Sequence, residues 1–142
     1  MNNENPADKE VILVSACLAG LRTRYDGRIG DYPDIREELD NRTWIPVCPE
    51  QLGGLPTPRC PADIVGGDGD DVLAGRARVI CDDGMEVTEA FVRGAEMVLK
   101  IARQQQVTMV FLKARSPSCG VRKTGVTAAL LRRNDFDLKE FG

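Results

Sequence analysis

Cysteine is the residue type most able to carry chemistry in this 142-residue chain, because the sequence contains five cysteines and no histidine. Without histidine, Ser-His-Asp triads, Cys-His pairs, histidine general bases and histidine metal ligands are excluded. The odd cysteine count, low density and lack of C-x-x-C spacing argue against a disulfide framework, a zinc ribbon and a thioredoxin motif. Structural disulfides are therefore not expected among Cys17, Cys48, Cys60, Cys81 and Cys119.

Three of these cysteines follow short apolar runs that predict buried strands. The runs are residues 11–14 before Cys17, residues 44–47 before Cys48, and residues 108–112 before the segment that ends at Cys119. The carboxyl ends of parallel strands share one edge of a sheet. If the three strands are neighbours, we expect the three thiols to converge at that edge. Cys60 and Cys81 have no such placement.

The alternation of strands and helices indicates an α/β fold, and we predict a single Rossmann-like layered domain with a mostly parallel sheet. The domain is predicted over residues 11–142, after a flexible N-terminal segment of residues 1–10. Helices are predicted over 34–39, 88–105 (with Thr88 as N-cap) and 125–131, a hairpin around 82–84, and a last strand or extended tail over 136–141. Residues 51–75, rich in glycine and proline, are predicted to be a long irregular insert. Such a loop in a small domain is usually a lid or a binding loop.

Charge and hydropathy narrow the choice of partners. The net charge of −3 and the pI of about 5.1 argue against general nucleic-acid binding. Residues 1–99 hold ten Lys/Arg and nineteen Asp/Glu, a net −9, whereas residues 100–142 hold nine and three, a net +6. The basic part is either a solvated face or a positive wall beside an anionic centre or substrate. Because no apolar run could span a bilayer and the polar start does not resemble a signal peptide, we expect a cytoplasmic protein without a membrane partner.

Three converging thiolates could serve in different ways. A cubane iron–sulfur cluster held by three cysteines would leave one iron open to act as a Lewis acid. A zinc ion held by three cysteines and a water is the nearest competitor. The third reading is ordinary buried cysteines, since free cysteine is among the most buried residue types. The spacing alone does not choose among these three.

Polar residues near the cysteines are candidates for acid–base work. Glu50, two residues past Cys48, could move protons or could be an ordinary surface carboxylate. Ser116 and Ser118 could donate hydrogen bonds to a substrate or to cluster sulfurs, or could serve turn chemistry. The chain has no P-loop and no G-x-G-x-x-G after a predicted strand, so no sequence motif indicates a nucleotide cofactor.

Five motifs, in order, resemble one bacterial family that was first described only as a domain of unknown function and that includes the thiouracil desulfidases. They are Ser15-Ala16-Cys17-Leu18-Ala19-Gly20, Arg24-Tyr25-Asp26-Gly27, Val47-Cys48-Pro49-Glu50, Gly53-Gly54-Leu55-Pro56-Thr57-Pro58-Arg59 and Lys113-Ala114-Arg115-Ser116-Pro117-Ser118-Cys119-Gly120. The resemblance covers nearly the whole chain from about Val11.

The resemblance implies a 4Fe–4S cluster bound by Cys17, Cys48 and Cys119, with one iron free of protein ligands. It implies that this iron takes the sulfur of a small thiolated base such as thiouracil, and that water replaces the sulfur without net redox change. The family's acidic and seryl catalytic residues would fall on Glu50 and Ser116. The alternatives are a non-enzymatic iron–sulfur or redox-sensing module, and a zinc or cysteine-nucleophile enzyme. The sequence does not fix the oligomeric state.

Overall fold

Strands and helices alternate along residues 10–142, the part of the chain that the computed structural model describes. Their bounds are β1 (Val11–Ser15), α1 (Pro33–Leu39), β2 (Thr43–Val47), α2 (Pro49–Leu52), β3 (Ala62–Val65), α3 (Gly69–Leu73), β4 (Arg78–Cys81), α4 (Thr88–Gln104), β5 (Met109–Lys113), α5 (Val126–Arg133) and β6 (Leu138–Phe141). The segment predicted to be flexible, residues 1–10, lies outside the described residues except for Glu10. None of the described helices is long and apolar enough to cross a membrane.

A four-stranded sheet with the order β2-β1-β5-β6 forms the centre of the fold, and every strand pair in it is parallel. This confirms the predicted α/β fold with a mostly parallel sheet. In β1, Ile12, Leu13 and Val14 have no exposed surface, as expected for a parallel strand covered on both faces. β2 is an edge strand, which explains how it accommodates Pro46, since an edge strand does not need every backbone N–H for the ladder.

Helices cover both faces of this sheet. Leu13 packs into a core with α4 and α5, whereas Ile12 and Val14 pack with α1. The apolar stripe predicted for α4 is buried, and it comprises Phe91, Ala95, Val98, Leu99 and Ala102. The N-cap of α4 is Val87 and not the predicted Thr88, because the Thr88 hydroxyl accepts the N–H of Val79 at 2.9 Å instead of a helix N–H.

The insert predicted to be irregular holds short regular elements, which are the end of α2, β3 and α3. Elements of four or five residues are too short for hydrophobic periodicity to reveal them. α3 begins with a capping box between Asp68 and Asp71. β3 pairs antiparallel with β4, and the hairpin predicted around residues 82–84 is reduced to one bridge between Ile80 and Glu86.

The small β3–β4 sheet also overturns one expectation about the cysteines. Cys60 and Cys81 form a disulfide, so the prediction that structural disulfides are absent is wrong for this pair. The strand register pairs Ala62 with Cys81, and Cys60 lies just before β3. The odd total was misleading because it combines this bonded pair with three free cysteines.

Candidate functional site

The three free cysteines line one cavity of about 290 Å³ at the carboxyl edge of the parallel sheet. Cys17 lies two residues beyond β1, Cys48 directly follows β2, and Cys119 lies six residues beyond β5. These three strands are neighbours in the sheet, so the chain topology brings together thiols that are far apart in sequence. Glu50 and Ser116, the residues predicted to be catalytic, line the same cavity.

Cys17 is held by a tight turn at the end of β1. The N–H of Leu18 donates to the carbonyl of Ser15 at 2.9 Å, and the N–H of Leu21 donates to the carbonyl of Ala16 at 3.1 Å. Gly20 closes the turn with a φ of +86°, a conformation that favours glycine. The turn fixes the direction in which the chain leaves the sheet.

Cys48 is the N-cap of α2. Two glycines allow α2 to pack closely against α4. A Cβ on Gly94 would collide with the carbonyl of Pro49, and a Cβ on Gly53 would collide with the carbonyl of Ala90. Because neither glycine has a side chain, the two helix backbones can touch. This contact sets the position of Glu50, which lies in the first turn of α2.

The loop that carries Cys119 is fastened to the start of α5. The N–H of Val126 donates to the carbonyl of Pro117, and the N–H of Thr127 donates to the carbonyl of Ser118, both at 2.9 Å. The hydroxyl of Ser116 accepts the backbone N–H of Ser118 at 3.2 Å and that of Cys119 at 3.1 Å. The first N–H groups of a helix have no acceptor within the helix. In α5 the loop carbonyls accept them, and these bonds fix the loop.

Burial sets the protonation of the thiols. It raises the pKa of the Cys119 thiol to about 12, and it also raises the pKa values of Cys17 and Cys48 above the ordinary thiol value. Burial likewise lowers the pKa of the Lys113 ammonium, which lies near Cys17. Without a metal, the three sulfurs are therefore neutral thiols at neutral pH, and a bound metal must displace their protons.

Glu50 connects the cysteine cavity to a hydroxyl pair. Its Oε2 accepts a hydrogen bond from the Ser118 hydroxyl at 2.9 Å, and the hydroxyl oxygens of Ser118 and Ser116 are 3.0 Å apart. Its Oε1 accepts a hydrogen bond from Nε of Arg59 at 2.8 Å. The structure thus places Ser118, rather than Ser116, in direct contact with the carboxylate, and the local sequence gave no means to rank the two serines.

Cations from both halves of the sequence line the cavity. Arg24 and Arg59 come from the acidic first part of the chain, and Lys113 and Arg115 come from the basic last part. The guanidinium of Arg24 pairs with Asp26 at 3.2 Å and donates to the hydroxyl of Tyr32 at 2.9 Å. The other seven cationic residues of this last part do not line the cavity, and they are Lys100, Arg103, Arg122, Lys123, Arg132, Arg133 and Lys139. A positive wall is present, but the C-terminal residues supply only part of it.

Sequence reasoning also missed two cavity residues outside the recognised chemistry. The Ser15 hydroxyl accepts the backbone N–H of Lys113 at 3.0 Å. Thr23 also lines the cavity, and its buried Oγ1 has no hydrogen-bond partner among residues 10–142. Neither residue type carries a local sequence signal.

The number, type and spacing of the thiols bear on which metal centre they could hold. Within residues 10–142, the Sγ atoms of Cys17, Cys48 and Cys119 do not all lie within 4.8 Å of one another. A tetrahedral zinc ion with Zn–S bonds of about 2.3 Å would need sulfurs about 3.8 Å apart. Three thiolates that bind an iron–sulfur cubane are farther apart than those around one zinc ion, because each binds a different iron. Thiolates are also the usual ligands of such clusters. The donor set therefore fits an iron–sulfur cluster better than a single zinc ion.

Comparison with known proteins gives three matches. A family model described as 2-thiouracil desulfurase matches residues 12–140. A Bacillus subtilis (strain 168) protein described as uncharacterized protein YbbK is 41% identical over an alignment of 139 residues, and the match covers 89% of this chain and 92% of the relative. A solved structure described as the 4Fe–4S-dependent thiouracil desulfidase TudS has 36% sequence identity and a TM-score of 0.77, covering 93% of this chain and 91% of the other.

Proposed function

The chain belongs to the 2-thiouracil desulfurase family, and on that premise we propose that it is a 4Fe–4S-dependent thiouracil desulfidase. It replaces the thiocarbonyl sulfur of a small base with oxygen from water and releases hydrosulfide. The observation that carries this proposal is the convergence of Cys17, Cys48 and Cys119 on one cavity that also contains Glu50. The solved relative with the same fold is itself a 4Fe–4S-dependent thiouracil desulfidase.

The three cysteines are the proposed ligands of the cluster. When bound, the cluster would supply one iron without a protein ligand, which acts as a Lewis acid toward the sulfur of the base. The thiols lose their protons as the cluster binds, and the half-buried Lys113 near Cys17 offsets part of the resulting negative charge.

Glu50 is the proposed general base. Its carboxylate removes a proton from a water molecule as the water oxygen bonds to the thiocarbonyl carbon. As the water oxygen adds, the second bond of the thiocarbonyl group opens and its electron pair moves onto sulfur. Glu50 then returns its proton to that sulfur. The remaining carbon–sulfur bond breaks, sulfur leaves with the bonding pair as hydrosulfide, and the added hydroxyl releases its proton to water as the carbonyl forms, so no electrons are gained or lost overall. The Ser118 hydroxyl, which donates to Oε2 of Glu50 at 2.9 Å, restrains the orientation of this carboxylate. Ser116 acts on the loop, since its hydroxyl accepts two backbone N–H groups beside Cys119.

Product analysis tests this function. Anaerobically reconstituted protein is expected to convert thiouracil into uracil and sulfide in equal amounts, with no electron donor or acceptor in the assay. Chromatography measures uracil and a colorimetric assay measures sulfide. Two results would overturn the proposal: a fully loaded protein that forms no uracil, and a protein that stays active in air after complete removal of iron.

A further inference from the structure

Arg59 is a nearly buried guanidinium in the cavity wall, with only 6% of its side chain exposed. Arginine has five N–H donors, and here each has an acceptor. Nε donates to Oε1 of Glu50 at 2.8 Å, Nη1 donates to Oγ1 of Thr57 at 2.8 Å and to the carbonyl of Pro56 at 3.2 Å, and Nη2 donates to the carbonyl of Thr23 at 2.8 Å and to Sγ of Cys48 at 3.8 Å.

These acceptors belong to three different parts of the cavity wall. Thr23 lies on the loop after Cys17, Cys48 and Glu50 lie at the start of α2, and the third part is Arg59's own turn at residues 56–57. The backbone N–H of Arg59 also donates to the carbonyl of Tyr25 at 2.8 Å. One side chain therefore couples the loop after β1 to the helix that carries the carboxylate.

The charge of Arg59 faces both the carboxylate and a ligand sulfur. A buried cation is costly unless it is paired and fully hydrogen-bonded, and Arg59 meets both conditions. The contact to Cys48 becomes a charge-assisted hydrogen bond when that sulfur is a thiolate. Lysine carries its three donors on one ammonium nitrogen, so it cannot reproduce the planar arrangement of guanidinium donors that reaches these acceptors.

We propose that Arg59 is a positioning residue of the desulfidase reaction: it fixes the Glu50 carboxylate against Ser118 and donates a hydrogen bond to the Cys48 sulfur. This inference rests on the proposed function. Removal of Arg59 then has two separate consequences. The general base loses its orientation, which lowers kcat, and the cluster loses a hydrogen bond at one ligand sulfur, which makes its reduction potential more negative.

The test compares Arg59→Gln and Arg59→Lys with Arg133→Gln, whose side chain forms an exposed ion pair with Asp70 away from the cavity. We expect Arg59→Gln to lower kcat by about 10- to 100-fold, the usual cost of losing a group that supports metal ligands, with a smaller change in KM. Its cluster potential is expected to fall. Arg59→Lys recovers little of kcat, and Arg133→Gln retains both values. Thermal unfolding confirms that each variant is folded.

Chemical rescue adds a readout that a general structural role would not give. Arg59→Ala leaves a space with the shape of the lost guanidinium, so millimolar guanidinium is expected to restore part of kcat and of the potential. Ammonium at the same concentration is expected to restore neither. Rescue by both ions, or wild-type behaviour of Arg59→Lys, would show that the planar guanidinium group is not required and would overturn the proposed role of Arg59.

The outcomes separate the inference from the function on which it rests. An active wild type, together with an Arg59→Gln variant of unchanged kcat and potential, overturns the inference alone. A wild type that holds the cluster but forms no uracil overturns the function, while the potential of Arg59→Gln still decides the contact to Cys48. A wild type that binds no cluster overturns both.

Discussion

Both oxygens of the Glu50 carboxylate are engaged, one by the Arg59 guanidinium and the other by the Ser118 hydroxyl. The side chain is only 13% exposed, so bulk water does not compete strongly for either bond. This is the setting that a general base needs, because the carboxylate keeps one orientation while it accepts a proton.

The substitution Glu50→Gln is expected to lower kcat by about 10²- to 10⁴-fold and to leave cluster content unchanged. Glutamine keeps the shape of the side chain and can still accept from Arg59, but it cannot take a proton from water. Turnover and iron content per chain measure the two effects. Glu86→Gln, at an exposed ion pair with Arg78, is the matched control. Loss of the cluster in Glu50→Gln would make Glu50 a structural residue.

The two serines of the Cys119 loop are expected to have separable roles. Ser118→Ala removes the donor to Glu50 and lowers kcat with the cluster retained. Ser116→Ala removes the acceptor of two backbone N–H groups and is expected to weaken cluster retention during dilution. Steady-state kinetics and the rate of iron loss to a chelator distinguish them. The reverse assignment, with Ser116→Ala slow but stably loaded, would return the catalytic role to Ser116.

At the element scale, the position of α2 depends on its contact with α4. Gly53 and Gly94 permit the two helices to touch at their backbones, and Arg93 donates to the carbonyl of Gly53 at 2.7 Å. α2 has only four residues and is too short to be stable alone. Tertiary contact must therefore hold Cys48 and Glu50 in place.

Gly94→Ala is expected to destabilise the protein by roughly 1–3 kcal/mol, since an added methyl group in this contact forces the helices apart. The displaced α2 carries Cys48 and Glu50, so cluster content and turnover are expected to fall together. Urea unfolding and iron analysis measure the effect. Glu96→Ala is the control, because Glu96 lies on an exposed position of the same helix. A Gly94→Ala variant with wild-type stability and activity would show that this contact does not position α2.

The elements that could be predicted are those with strong local patterns. β1 and β5 are continuous apolar runs, and α4 has a full apolar stripe, so the sequence alone identifies them. The short elements after Leu52 carry no comparable period, and the Cys60–Cys81 disulfide depends on a strand pairing that no local pattern encodes. The contact of Ser118 with Glu50 joins residues 68 positions apart, which only the assembled fold can reveal.

At the scale of the whole molecule, topology creates the site. β2, β1 and β5 are adjacent and parallel, so the segments that follow them meet at one edge. The prediction that Cys17, Cys48 and Cys119 converge depended on this adjacency. The sequence alone indicates that each of the three cysteines follows a strand and that parallel strands end at the same edge. Which strands are neighbours could not be read, because strand order depends on how the helices pack.

The most direct test of the account is the iron and acid-labile sulfide content of anaerobically reconstituted protein, with its visible absorbance. We expect about four of each per chain for a cubane cluster in the wild type, and loss of the cluster in Cys17→Ser. Cys60→Ser is the control, since Cys60 is bonded to Cys81 and is not one of the three free thiols, and it is expected to retain the cluster. Stoichiometric zinc, or no metal at all under strict anaerobiosis, would contradict the account.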